Sequence, residues 1–169
     1  MEAAAAFLAA RSRSVEETRR RLRQLGYPTA LCDRVVERLV DVRYLDDEAF
    51  ARAWVESRDR ARPRGTLALR RELRLKGVSE ATIADVLAER GSAASVDPGS
   101  ALDAAEGPDH RAARRLLERR VAALRREPDP RRRRQRAFAL LARHGFSPDV
   151  CSEVAATFEM DAGPTDAHV

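Results

Sequence analysis

One pattern occurs three times in this chain, as Leu22-Arg-Gln-Leu-Gly26-Tyr27, Leu73-Arg-Leu-Lys-Gly77-Val78 and Leu141-Ala-Arg-His-Gly145-Phe146. Each copy has a leucine four residues before a glycine and an apolar residue directly after it. A glycine in this position is typical of a helix end, because it adopts the left-handed conformation without a Cβ penalty. The pattern therefore predicts three helix–turn–helix pairs, with the apolar residue packed beneath each turn.

The residues around each glycine also favour helices. Apolar positions recur six and nine residues after the glycines, at Cys32, Ile83, Cys151, Val35, Val86 and Val154. Ser14 and Glu17 match a capping box at the start of the first pair. Ser79 and Ser147 are suitable N-caps for the helices after the second and third turns, and Pro148 suits a first helical position.

Another candidate helix precedes each pair, so the sequence predicts nine main helices in three triplets. The expected helices are residues 2–11, 14–25 and 29–43; 46–61, 66–76 and 79–90; and 110–126, 130–144 and 148–159. We therefore predict an all-α fold, an elongated tandem array of three three-helix repeats, in which each unit contacts mainly its neighbours. The expected organisation is repeat 1 at 1–44, repeat 2 at 45–91, a flexible linker at 92–108, repeat 3 at 109–160 and a frayed tail at 161–169.

The repeats should have aliphatic cores, since only 5% of the residues are aromatic. In the helix at 29–43, a 3–4 spacing predicts an apolar face of Leu31, Val35, Leu39 and Val42, with Val36 and Val40 beside them. The core positions expected in the other repeats are Phe50, Trp54, Leu69, Leu73, Ile83, Leu87, Leu117, Val121, Leu124, Leu141 and Val154.

The composition indicates a cytoplasmic protein. No apolar run approaches the ~20 residues that span a bilayer. The start, Met1-Glu2 followed by alanines, lacks the basic region of a secretion signal. Cys32 and Cys151 form no metal-ligand pair and are predicted to be buried apolar residues in a reducing compartment.

The sequence shows no convincing signature of catalysis. No glycine-rich phosphate loop precedes Lys76, the only lysine of the chain. His110, His144 and His168 lie far apart, with no acid spaced for a metal site. We therefore expect a protein that is not an enzyme and that needs no cofactor, no metal and no small-molecule substrate.

The acidic cluster Asp46-Asp47-Glu48 allows two interpretations. One is a magnesium-binding nuclease site. The other is a helix start, where acids accept hydrogen bonds from free N–H groups and oppose the helix dipole. We favour the capping role. Trp54 is likewise open to two interpretations, a base-stacking ring or a core residue, and its spacing from Phe50 favours the core.

Basic residues are concentrated in two blocks. The net charge is +5, but residues 58–76 carry eight positive and two negative charges, and residues 110–143 hold thirteen arginines against three acids. Either these arginines are ordinary solvated helix residues or the blocks bind a polyanion, which we favour. Guanidinium groups suit phosphates and carboxylates equally well, so nucleic acid and an acidic protein groove are both open. The candidate partner- or phosphate-binding residues are Arg58, Arg62, Arg64, Arg70, Arg71, Arg74, Lys76, Arg131, Arg132, Arg133, Arg134 and Arg136.

One stretch of the chain resembles a known family. Tyr44-Leu-Asp-Asp-Glu-Ala-Phe-Ala-Arg-Ala-Trp54-Val55, followed by Arg64-Gly65 and Leu69-Arg-Arg-Glu-Leu-Arg-Leu-Lys-Gly-Val78, resembles the signature of the RecX family. Upstream, Ser14-Val-Glu-Glu and the first glycine pattern are similar to the first repeat of that family. The resemblance is detailed over residues 7–90 and weaker over 110–159.

The resemblance implies a regulator that lodges in the groove of RecA–DNA filaments. Such a protein mainly inhibits the ATPase, recombinase and coprotease activities of RecA, and it acts in DNA recombination, DNA repair and the SOS response. We expect a monomer that binds DNA itself only weakly. The alternatives are a stand-alone helical DNA-binding protein or repressor, since three-helix units with a tight turn resemble helix-turn-helix motifs, and, third, a small nuclease.

Overall fold

The fold is all-α, as the sequence predicts. The computed structural model describes residues 12–93 and 107–161. These ranges contain no strand, and they hold nine helices: α1 (Val15–Gln24), α2 (Thr29–Asp41), α3 (Asp47–Ala61), α4 (Thr66–Leu75), α5 (Glu80–Ala93), α6 (Pro108–Glu118), α7 (Val121–Arg125), α8 (Pro130–Arg143) and α9 (Pro148–Asp161). The helix expected at 2–11, most of the linker at 92–108 and the tail after Asp161 lie outside the described residues. None of the described helices is long and apolar enough to cross a membrane.

The three turn glycines adopt the predicted left-handed conformation. Their φ angles are +85° at Gly26, +82° at Gly77 and +80° at Gly145. Each turn is closed by the amide of the residue after the glycine, which donates to the carbonyl of the leucine four residues before the glycine. The residue after the glycine is buried in two of the turns, as Val78 and Phe146, but Tyr27 is 42% exposed, so the prediction of a residue packed beneath the turn is wrong for the first pair. The helix–turn–helix interpretation is therefore confirmed.

The predicted caps are also present. The Ser14 side chain accepts from Glu17 N, and the Glu17 carboxylate accepts from Ser14 N, which completes the capping box of α1. Ser79 Oγ accepts from Thr82 N at 3.1 Å, and Ser147 Oγ accepts from Val150 N at 3.4 Å. These local bonds explain why α1, α5 and α9 begin where the sequence predicts.

Two further local predictions are wrong. The single helix expected at 110–126 is interrupted after Glu118, and α7 begins at Val121. The guanidinium of Arg119 donates to the carbonyls of Arg60 and Ala61, both at 2.8 Å. The spacing of apolar residues cannot predict a break caused by such a tertiary contact, since the residues on both sides of the break favour helix.

The second correction concerns the buried face of α2. Its core residues are Cys32, Val36 and Leu39, whereas Leu31, Val40 and Val42 are 41%, 43% and 50% exposed. Several apolar stripes exist on this helix, because its aliphatic residues cover more than half of its circumference. Periodicity alone could not choose among these stripes.

The chain divides into two compact units, and the divisions fall inside α3, α4 and α5. The first unit comprises the chain up to Glu56 together with Arg70–Ala88. Its core includes Leu22, Cys32, Val36, Leu39 and Leu45. Within this unit, Ser14 Oγ donates to the Lys76 carbonyl at 2.5 Å. The start of α1 therefore packs on the turn after α4.

The second unit comprises Ser57–Leu69 and the chain from Glu89 onward. Its core is built around α6, α8 and α9 and contains Leu116, Leu117, Leu124, Leu141, Phe146, Val150, Cys151 and Val154. Within this unit, Gly65 N donates to the His144 carbonyl at 3.1 Å, and Leu67 N donates to the Gly145 carbonyl at 3.2 Å. The start of α4 therefore packs on the turn after α8.

Both cysteines are buried and free, as predicted. Burial, and then the charge of Asp109, raises the pKa of the Cys151 thiol. A thiol with a raised pKa is less reactive, because the thiolate is the nucleophile. The two residues therefore act as small apolar core residues.

Candidate functional site

Arginines of α4 form the first candidate surface, which lies in the first unit. Arg71 is exposed and forms no ion pair within the described part of the chain. Arg70 Nη1 lies 2.9 Å from Glu80 Oε1, and Arg74 Nε lies 2.6 Å from Glu80 Oε2. All three arginines are within reach of a partner, because ion pairs this exposed are readily exchanged. The helix holds them there through Leu69 and Leu73, which are fully buried.

Lys76 has a different environment from these arginines. Its Nζ lies 2.6 Å from Glu17 Oε1, and the two side chains are 22% and 12% exposed. The same Nζ lies 4.9 Å from the centroid of the Trp54 ring. Trp54 Nε1 donates to Glu72 Oε2 at 2.8 Å. Lys76 directly follows α4 and therefore connects the end of this helix to Glu17 of α1 and Trp54 of α3. The cation–π contact with Trp54 adds to the ion pair with Glu17.

The remaining arginines of the first basic block lie in the second unit. Arg62 is exposed after the end of α3 and forms no ion pair among the described residues. Arg58 and Arg64 are half-buried, and both have partners within the protein. Of these three candidates, Arg62 presents its charge to solvent most openly.

The start of α8 carries the second cluster. Asp129 caps this helix by accepting from Arg131 N at 2.9 Å, and Arg132 Nε lies 3.6 Å from the same carboxylate. Arg131 and Arg134 are exposed and form no ion pair in the described ranges. A helix start has free N–H groups that can bind an anion. The Asp129 carboxylate takes one of them and adds a negative charge beside the arginines.

Glu127 organises the other arginines of α8. This residue is 8% exposed, and its Oε2 lies 2.9 Å from Arg136 Nη2. Arg133 Nη1 donates to the Glu127 carbonyl at 3.2 Å. Arg133 is therefore turned toward the protein, whereas the Arg136 side chain is 61% exposed although its partner Glu127 is buried.

A buried ionic network in the second unit has no signal in the sequence. The Arg90 side chain is 6% exposed and pairs with two carboxylates. It reaches Asp59 through two hydrogen bonds of 2.8 and 2.9 Å and Asp109 through one of 2.7 Å. Asp109 also accepts from Thr66 N at 3.0 Å, at the start of α4. The network joins α3, α4, α5 and α6, whose residues are too far apart in the sequence for their charges to suggest pairing.

Asp46, Asp47 and Glu48 lie at the start of α3, which begins at Asp47. Asp46 Oδ1 accepts from Glu48 N and Ala49 N, both at 2.9 Å, so the capping interpretation is confirmed for Asp46. Asp47 differs, because its Oδ1 accepts from Val15 N at 2.9 Å and so ties α3 to α1. Burial raises the pKa of Asp47, and the hydrogen bond from Val15 opposes this shift. Among the described residues, no three potential metal-ligating side chains come together.

We expect Asp46→Ala to lower the free energy of unfolding by about 1 kcal/mol, because α3 loses its side-chain cap. Asp46→Ser is the matched control, since a serine hydroxyl also accepts from N2 or N3 and should leave stability nearly unchanged. Urea denaturation followed by circular dichroism at 222 nm measures both. Equal stability losses for the two variants would show that the cap is not the cause.

Two histidines make polar contacts within the second unit. His110 Nε2 lies 2.7 Å from Glu153 Oε2, which joins α6 to α9. His144 Nδ1 lies 2.8 Å from the Leu140 carbonyl, so this nitrogen carries the proton. His168 lies outside the described residues. These contacts give each described histidine a structural partner.

Comparison with protein families places three domain models along the chain. Residues 1–39 match the model described as "RecX, first three-helix domain", residues 46–87 match the second and residues 109–154 match the third. The three matches follow the order of the repeats that the glycine pattern predicts.

Two curated relatives and two crystal structures resemble the chain. "Regulatory protein RecX" of Mycobacterium sp. (strain KMS) is 35% identical over 150 residues, which cover 87% of this chain and 74% of that protein. The protein of the same name in Geobacillus kaustophilus (strain HTA426) is 42% identical over 83 residues, 49% of this chain and 31% of that one. The structure of RecX from Lactobacillus salivarius matches with a TM-score of 0.73 at 17% identity and covers 94% of both chains. A second structure, of a regulatory protein RecX, has a TM-score of 0.69 at 22% identity, covering 92% of this chain and 70% of the other.

Proposed function

The chain belongs to the RecX family, and from this premise we propose that it regulates RecA. In this proposal it binds RecA filaments on DNA and modulates, mainly by inhibition, the ATPase, recombinase and coprotease activities of RecA. It does so as a non-catalytic cytoplasmic monomer without a cofactor, in DNA recombination, DNA repair and the SOS response. The observation that carries the proposal is the match to all three RecX domain models in order along one chain.

We propose that exposed arginines make the contact. Arg62, Arg71, Arg131 and Arg134 need no internal rearrangement to bind an anion, since none of them is ion-paired within the described ranges. Arg70, Arg74 and Arg132 have only exposed ion pairs, which a partner displaces at small cost. Arg136 is 61% exposed and pairs with the buried Glu127. The remaining candidates are half-buried and have contacts inside the protein: Lys76, Arg58, Arg64 and Arg133.

The proposed repeat boundaries are 1–44, 45–91 and 109–160, with a linker at 92–108 and a tail at 161–169. In support, each matched domain model falls inside one proposed repeat.

The direct test is RecA ATPase on single-stranded DNA, titrated with this protein. Inhibition that saturates at less than one protein per RecA subunit would support binding along a filament. The second candidate function, a stand-alone DNA-binding protein, is favoured by the exposed Arg131 and Arg134 beside a helix start. It predicts equal affinity for filaments and for the same bare DNA, with no effect on the ATPase.

We expect reversal of charge at Arg70, Arg71 and Arg74 to weaken inhibition of RecA by roughly tenfold, because an attractive surface becomes repulsive. Helicity should survive, since Leu69 and Leu73 stay buried. The readout is the concentration of protein that halves RecA ATPase, with circular dichroism as a check on folding.

The matched control reverses Arg20, Arg34 and Arg38. These side chains are also exposed and form no ion pair in the described ranges, so the change in net charge is the same. Equal losses in the two triple variants would mean that net charge alone acts, and that the α4 arginines have no specific role.

A further inference from the structure

The carboxylate of Glu80 lies between two arginines of the proposed surface. Its Oε1 lies 2.9 Å from Arg70 Nη1, and its Oε2 lies 2.6 Å from Arg74 Nε. The side chains of Arg70, Arg74 and Glu80 are 39%, 58% and 47% exposed. Glu80 therefore occupies, at the protein surface, the place where the two guanidinium groups would hold an anion of a partner.

Glu80 carries its charge at neutral pH. The hydrogen bond from Arg74, joined by the charges of Arg74 and Arg70, lowers the pKa of this carboxyl. A partner anion that approaches the two arginines must displace this charge or lie beside it. Displacement is feasible, because exposed ion pairs contribute little to folding stability.

The surroundings of the two arginines favour a protein ligand over a phosphate backbone. Leu75 is 67% exposed, directly follows Arg74 and lies one helical turn after Arg71. A phosphodiester backbone offers charge alone, whereas an acidic protein surface offers carboxylates together with apolar side chains. The two guanidinium groups already hold a carboxylate, because Arg70 Nη1 donates to one oxygen of Glu80 and Arg74 Nε donates to the other.

We propose that Glu80 is an internal competitor for Arg70 and Arg74, and that a carboxylate of a protein partner must displace it. This inference rests on the proposed function, in which the partner is RecA. It makes Glu80 an affinity-limiting residue, which keeps the α4 arginines occupied until an acidic surface replaces it.

The test compares Glu80→Gln with Glu48→Gln. Glu48 is a close match, since it lies in the first turn of α3 as Glu80 lies in the first turn of α5. It is also ion-paired with an arginine, Arg52, and its side chain is 53% exposed. Both variants remove one negative charge from an exposed site. Glu80→Gln breaks the ion pairs with Arg70 and Arg74, and Glu48→Gln breaks the pair with Arg52. The ligands are RecA filaments on oligo(dT), formed with a slowly hydrolysed ATP analogue, and the same oligo(dT) alone.

We expect Glu80→Gln to lower the Kd for filaments by roughly three- to tenfold, and Glu48→Gln to change it by less than about twofold. On oligo(dT) alone, the two variants should behave alike. In an Arg70→Gln, Arg74→Gln background, Glu80→Gln should give no gain, because the residues it releases are absent.

Three results would overturn the inference while the proposed function stands. They are equal effects of the two variants on filaments, a gain that persists without Arg70 and Arg74, or a gain of equal size on oligo(dT) alone. The last result would assign the arginines to DNA phosphates. Wild-type protein that binds filaments no more tightly than oligo(dT) would instead overturn the proposed function, and the carboxylate partner with it.

Discussion

Replacing Arg90 with methionine is expected to lower the free energy of unfolding by about 3–5 kcal/mol, because removal of one partner leaves buried charges uncompensated. Asp59 and Asp109, 23% and 16% exposed, would both lose the guanidinium that neutralises them. The change is largest here because a single side chain joins four helices of the second unit. Urea denaturation followed by circular dichroism measures the loss.

The control for this prediction is Arg52→Met, which breaks an ion pair on the surface. Arg52 and its partner Glu48 are 49% and 53% exposed, so its loss should cost no more than about 0.5 kcal/mol. Adding Asp59→Asn and Asp109→Asn to Arg90→Met should restore part of the stability. The amide at position 109 keeps an acceptor for Thr66 N, and the two amides together remove the unpaired charges. No recovery would show that Arg90 acts by packing and not by charge.

The parts of the fold that the sequence predicts are those set by neighbouring residues. A leucine, a glycine and an apolar residue define each turn, and Ser14, Ser79 and Ser147 cap the helices that they precede. In each case the bond joins residues at most five positions apart. Composition and local spacing are therefore sufficient for the all-α fold and for most helix starts.

The parts that the sequence does not predict depend on distant contacts. Arg90 pairs with residues 31 and 19 positions away, and Lys76 pairs with Glu17 across 59 positions. The break after α6 accompanies contacts of Arg119 with the end of α3. Charge blocks locate basic surfaces, but only the folded chain separates arginines that face solvent from those that hold the protein together.

The sequence predicts the candidate site only in part, as it does the fold. The sequence identifies the arginines of α4, because they form a block of one sign. It does not single out Glu80, which follows the Gly77 turn and has the appearance of an ordinary first-turn acid. The turn brings Glu80 back against α4, so this acid and the two arginines it pairs with, Arg70 and Arg74, belong to one repeat.

The second large effect is expected for Gly145→Ala, at about 3 kcal/mol or more of lost stability. Two costs add at this position. The left-handed backbone disfavours any residue with a Cβ by about 1–2 kcal/mol. A Cβ at Gly145 would also lie 2.3 Å from Ala68 Cβ and 2.6 Å from Ala68 N, where the backbone of α4 cannot move freely. Overpacking of this kind costs about 1–3 kcal/mol.

Gly26→Ala separates the two costs, because Gly26 has the same conformation without the contact. Its φ is +85°, and a Cβ there would meet no atom within 4 Å. We therefore expect Gly26→Ala to cost only the backbone term, about 1–2 kcal/mol. The difference between the two variants in urea denaturation measures the packing of the α8–α9 turn on the start of α4. Equal losses would mean that this turn yields at little cost, and that the contact of Gly145 with Ala68 does not hold the second unit together.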